Sequence, residues 1–203
     1  MPVPTPPQPL RPADRLALAG LSIPDELAPL DPKAELVTRD LAITASESTP
    51  DQRADLLRRA RALPQQPRTD PAPATPPHEQ YLPGLGGALL RMAANRNLRW
   101  MSVARLLHTT RGLYVAASTI GGIGHDRVPL SLPLLADFSA LLDVPLATLT
   151  ALAGLVPETD SLPPRVHPPH PATPDIAALL PELARLTADQ VRELAASAGL
   201  RVR

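Results

Sequence analysis

Apolar residues along this chain recur at spacings of three and four, with charged or small polar side chains between them. This is the pattern of one-sided helices. The period-two alternation of a half-buried strand is missing: β-branched residues do not alternate in runs, and no Asn-Gly or Asp-Gly turn separates apolar stretches. The stretch "STPDQRADLLRRARAL" predicts a helix with Thr49 as N-cap, Pro50 at its first position and Gln52 closing a capping box. "LTADQVRELAASAGL" repeats the arrangement with Thr187 and Gln190. Between them, from Leu85 on, the chain divides into five short apolar-periodic pieces. Their inward faces are Leu85, Leu89 and Met92; Val103, Ala104 and Leu107; Ile120 and Ile123; the broad stripe Leu134 to Leu142 through Phe138; and "PLATLTALAGL", which stops at Gly154. The pattern predicts an all-α chain, and five helices in this space can bury a core only as a compact bundle.

A second echo accompanies the capped helices. "ADRLALAGL" (13 to 21) matches "ATLTALAGL" (147 to 155), and each is followed by a proline-containing linker and then by its capped helix. We infer a duplicated unit whose first copy starts inside the repeat.

Proline punctuates the 203 residues. Six of 28 lie in residues 1 to 12, seven in 64 to 83 and seven in 157 to 174. The expected organisation is a disordered arm at 1–12, a helical segment at 13–63, a Pro-rich linker at 64–83, a bundle domain at 84–156, a Pro/His linker at 157–174 and a helical segment at 175–203. Net charge is zero but uneven: residues 81 to 155 carry six basic and three acidic side chains, while both flanks are slightly acidic. The positive segment is also the one that holds or adjoins the four aromatics, Tyr81, Trp100, Tyr114 and Phe138. Cysteine is absent, which excludes disulfides and thiolate metal sites. No run approaches a membrane span, and the N-terminus lacks the pattern of a signal peptide, so a cytoplasmic location is expected.

The order "NLRWMSVARLL … ASTIGGIGHDRVPLSLPLLADFSALLDVPLATLTALAGL" resembles the five-helix, lambda-repressor-like domain of phage-repressor-like (XRE) helix-turn-helix regulators. The most specific part is "PLSLPLLADFSALLDVPLATL", similar to the family's entry to its fourth helix and its turn into the fifth. The resemblance covers residues 84 to 156. It implies a bacterial transcriptional regulator that binds duplex DNA with a recognition helix starting at Ser118, held by Ile120, Ile123 and Leu107. It departs from the family in two places. His108 to Ala117 are more residues than the family places there, so that the turn is enlarged or one helix is longer, and Gly121, Gly122 and Gly124 stand where the family tends to carry polar side chains.

On this reading the DNA-contacting residues are Arg105, Thr110, Arg111, Ser118, Thr119, His125 and Arg127. Arginines, hydroxyls and a helix start would meet phosphate, and Ser118, Thr119 and His125 would reach base edges. Trp100 is expected to anchor a helix junction. A homodimer is expected through the capped helices, whose apolar residues Leu56, Leu63, Val191 and Leu194 need covering. The alternative is an adaptor or antitoxin-like chain that uses the same helices to bind protein.

Enzymatic chemistry, cofactors and metals are not expected. The glycine cluster is followed by His-Asp-Arg and lacks the Lys-Ser/Thr of a phosphate loop. "HPPH" at 167–170 reads as solvated linker histidines, and nothing marks a nucleophile elbow.

Overall fold

The computed structural model describes residues 10–69, 73–155 and 168–202. Residues 1–9 of the expected N-terminal arm and 157–167 of the Pro/His linker, His167 included, lie outside the described residues, while Pro12 at the arm's end opens the first helix. Among those described there are ten α-helices and no strand. They are α1 (Pro12–Leu18), α2 (Glu35–Ser46), α3 (Pro50–Ala62), α4 (Leu85–Ala94), α5 (Trp100–Arg111), α6 (Ala117–Gly124), α7 (Leu132–Leu142), α8 (Leu146–Ala153), α9 (Thr173–Leu183) and α10 (Ala188–Ser197). Short 3-10 turns occur at Asp25–Leu27, Pro32–Ala34 and Pro77–Glu79.

Local signals act where the sequence places them. Both capping boxes form: the Thr49 and Thr187 hydroxyls accept from the backbone N–H of Gln52 and Gln190, whose side chains accept from the threonine N–H in return. Thr187→Ala leaves the Gln190 N–H in the first turn of α10 without its partner and is expected to cost about 1 kcal/mol. Urea denaturation checks this, as a lower midpoint with an unchanged slope. The two ALAGL helices also end alike. Gly20 and Gly154 adopt positive φ (69° and 64°), and the following leucines donate back five residues, Leu21 to Leu16 and Leu155 to Thr150. With the glycine N–H groups donating to Ala17 O and Ala151 O, this is the pair of hydrogen bonds of a Schellman turn.

The duplication extends further than the sequence echo. Each capped helix is joined by a short turn to the helix before it, α2 to α3 and α9 to α10, and these two helix-turn-helix hairpins interlock rather than close on themselves: α3 packs on α9, α10 on α2, and α2 on α9. Exchanging one hairpin for the other reproduces the contacts. Leu41 and Leu56 from the first hairpin and Leu180, Leu183, Val191 and Leu194 from the second are buried in the shared core. This corrects the expected role of the capped helices. Leu56 and Val191 are fully buried, Leu194 nearly so and Leu63 half-buried, each packed within its own chain. What is left between α3 and α10 is a groove of about 360 Å³ lined by Arg59, Ala62, Leu63, Glu193, Leu194 and Ser197.

The helices α4 to α8 lie against this four-helix arrangement, α5 on α2 and α7 on α9, while α1 packs on α4. The hydrophobic cluster runs without a break from Ala17 through Leu89, Leu107, Ile120 and Phe138 to Leu180 and Ala195. No helix among the described residues is long and apolar enough to cross a membrane.

Candidate nucleic-acid interface

From Gln80 to His125 the chain contains five arginines and no acidic residue. That stretch folds into α4, α5 and α6. Acids from outside it neutralise three of the arginines: Asp14 pairs with Arg96, Glu79 with Arg99 at 3.0 Å and Asp137 with Arg111 at 3.0 Å. Arg91 is half-buried, and burial lowers its pKa below the ordinary arginine value. Arg105 stays in solvent on α5, in line with exposed Met101 and His108.

The enlarged connection is resolved in favour of a longer helix. Helix α5 continues through Arg111, and Gly112 caps it at φ 67°, donating to His108 O and Leu107 O. The turn proper is residues 112 to 116, and it holds Tyr114 almost fully in solvent with its ring edge-on to His108 at 5.8 Å. Sequence reasoning did not single out Tyr114. Its position past the α5 stop glycine was the available signal.

Helix α6 packs against α5 and α4. Its start is open: Ala116 and Ser118 are exposed and Thr119 half-buried. Beyond Thr119 the helix closes completely, because Ile120, Gly121, Gly122, Ile123 and Gly124 are all buried. Five consecutive buried residues cover more than one full turn, so no side of this segment is free to lie in a groove. The glycines are packing positions. A Cβ on Gly121 would stand 2.6 Å from the Trp100 ring, one on Gly122 2.8 Å from Val128, and one on Gly124 2.6 Å from both Leu90 and Tyr81.

Three expected contact residues are therefore corrected. Thr110 is fully buried: its hydroxyl donates to Leu106 O at 2.7 Å, and its carbonyl accepts from the Thr173 hydroxyl and the His170 N–H, both at 2.9 Å. Arg111 is committed to Asp137, with side-chain exposures of 9% and 6%. Replacing Arg111 would remove a charged partner of a buried carboxylate, so a loss of binding in such a variant would report on the core and not on DNA contact. His125 is half-buried at the end of α6. Its Nε2 lies 2.9 Å from the His78 carbonyl, and its ring lies 5.3 Å from Tyr81 and 6.4 Å from Trp100. Trp100 does sit at a helix junction, with Nε1 donating to the Tyr81 hydroxyl at 2.6 Å. Burial pushes the Tyr81 hydroxyl up to about 12, the bond from Trp100 working the other way.

Arg105, Ser118, Thr119 and Arg127 remain of the expected set. Arg105 and Arg127 are exposed and make no ion pair among the described residues, although exposed Asp126 precedes Arg127. No group of three or more metal-ligating side chains occurs among the described residues. The chain matches no protein-family model, no curated protein and no solved structure.

Proposed function

We propose that the chain is a DNA-associated regulator of the helix-turn-helix type, with α4 to α8 as its five-helix unit and α5 and α6 as the motif pair. The observation that carries this reading is the acid-free stretch from Gln80 to His125, folded into the helices that lead to and form that pair. Because residues 120 to 124 of α6 are closed, the contact is with phosphate and not with base edges along the helix. Arg105 and Arg127 supply charge, and Ser118 and Thr119 supply hydroxyls and the open helix start. Sequence discrimination is correspondingly weak. A second copy is not needed to cover the hairpins, which cover each other, so one chain engages one site. The groove between α3 and α10 is where a homodimer would have to form.

The second reading, a protein-binding adaptor on the same scaffold, is favoured by the two acids that offset the positive charge, buried Asp137 against Arg111 and exposed Asp126 beside Arg127. A salt series separates the two. The full chain is expected to bind sheared genomic duplex at low salt, and the Arg105→Ala, Arg127→Ala double variant to bind about tenfold more weakly, with a salt slope smaller by about 2. Wild-type protein that fails to bind duplex at low salt sinks the DNA reading and leaves the adaptor.

A further inference from the structure

The segment from Pro77 to Leu82, outside the five helices, closes over α5 and the end of α6. It is fastened at four points. Tyr81 accepts from Trp100 Nε1 at 2.6 Å, and the His78 carbonyl lies 2.9 Å from His125 Nε2. The His78 ring stands edge-on to Trp100 at 5.4 Å, and Glu79 pairs with Arg99 at 3.0 Å. The surfaces beneath it are stripped of side chains. A Cβ on Gly124 would strike the Tyr81 ring, and one on Gly87 would lie 2.6 Å from Leu82 O and 2.9 Å from Tyr81 Cβ. Gly121 in turn makes room for the Trp100 ring that Tyr81 holds. Of the glycines that leave α6 without a reading surface, Gly124 seats this segment directly and Gly121 does so through Trp100, while Gly122 meets Val128.

We propose that residues 77 to 82 are an autoinhibitory strap: closed, as observed, they cover the start of α5 and the end of α6 and neutralise Arg99, and their release adds Arg99 to the exposed Arg105 and Arg127 that meet duplex DNA. The inference rests on the DNA reading given above. The strap is suited to release. It has one short 3-10 turn and no helix of its own, and Leu82 and Pro83 at its exit are exposed, Leu82 at 60%. Its hold is polar and aromatic, with Tyr81 half-buried. Opening frees a cation, Arg99, whose side chain is already 53% exposed, and removes the carboxylate that repels phosphate from it.

The test uses the full chain with Glu79→Gln, Tyr81→Ala. Trp100, the single tryptophan, reports opening as a red shift of its emission. Duplex binding at low salt is measured alongside. Strap release is expected to tighten binding at least tenfold together with the red shift. A red shift with affinity equal to a binding wild type overturns the strap and leaves the DNA reading standing. A red shift with no binding by either protein overturns the DNA reading, and the strap as its regulator with it. An unshifted emission overturns the fastening described here. Should the double variant lose its helical circular dichroism, Glu79→Gln alone keeps the aromatic clasp. It is expected to tighten binding about threefold through Arg99, and an unchanged affinity overturns the proposal.

Discussion

Gly86→Ala is expected to destabilise the protein by about 2 to 3 kcal/mol, the cost of overpacking a closed interface. At an open helical position the same change adds about 0.5 to 1 kcal/mol of stability, because alanine surrenders less backbone freedom on folding. Here the sign reverses. Gly86 lies in the first turn of α4, and an added Cβ would overlap the carbonyl oxygen of Ile123 and stand 3.0 Å from its carbonyl carbon. Those are backbone atoms of α6, so relief requires α4 and α6 to separate. Ile123 itself is buried, and moving it disturbs the core on both sides. Gly121→Ala should cost less, since its obstacle is the Trp100 ring, which can turn. Denaturant midpoints of the two variants check the order, and a Gly86→Ala protein as stable as wild type would mean that α4 and α6 are not in contact there.

The same glycines show where sequence reading stops. Helix starts and stops were legible because each is a local event: Thr49 caps a residue three positions away, and Gly154 bonds within its own turn. The all-α class follows from such signals together with the apolar period. What fills the space beside a glycine is not local. Gly121 meets a tryptophan 21 positions earlier and Gly124 a tyrosine 43 earlier, so a cluster that reads as a bare helix face is a buried seat. The burial of Thr110 and Arg111 was hidden for the same reason. Whether an arginine is free depends on acids elsewhere in the chain, and Arg111 finds Asp137 only when α5 and α7 come together. Arg105, Ser118 and Arg127 stayed in solvent as read, since each sits at an end or on an outer face with nothing packed over it. The interlocked hairpins were half legible. The capped helices carry matching letters, but their partners α2 and α9 are related by packing and not by an evident sequence match.

Asp14→Ala is expected to cost about 3 to 5 kcal/mol, the usual penalty for removing one member of a buried ion pair. Asp14 comes from α1, is 1% exposed, and grips Arg96 with both oxygens, Nη1 to Oδ1 at 2.8 Å and Nη2 to Oδ2 at 2.9 Å. Arg96 is fully buried. It also donates to the carbonyls of Met92, at the end of α4, and of Leu142, at the end of α7, while its Nε has no partner. Removing the carboxylate leaves a guanidinium inside the protein with two carbonyls as its remaining hydrogen-bond partners. Arg11 aggravates the loss. Its own pKa is lowered by burial first and then by the nearby positive charge of Arg96, so two cations would share a site with their closest anion gone. Arg96→Met should be comparably harmful, because it strands Asp14 instead. The double replacement Asp14→Leu, Arg96→Met should recover most of the stability, since an apolar pair of similar volume needs no counter-charge. Urea titrations of the three variants check this order. A single-variant cost below about 1 kcal/mol would show that the pair is not buried as described. The consequence for function is direct. The arginine that joins the ends of α4 and α7 is satisfied by an acid 82 residues upstream, so the helices that present Arg105 and Ser118 depend on α1 for their geometry. A fragment beginning at α4 would carry Arg105 and Ser118 on a bundle whose central cation has lost its carboxylate.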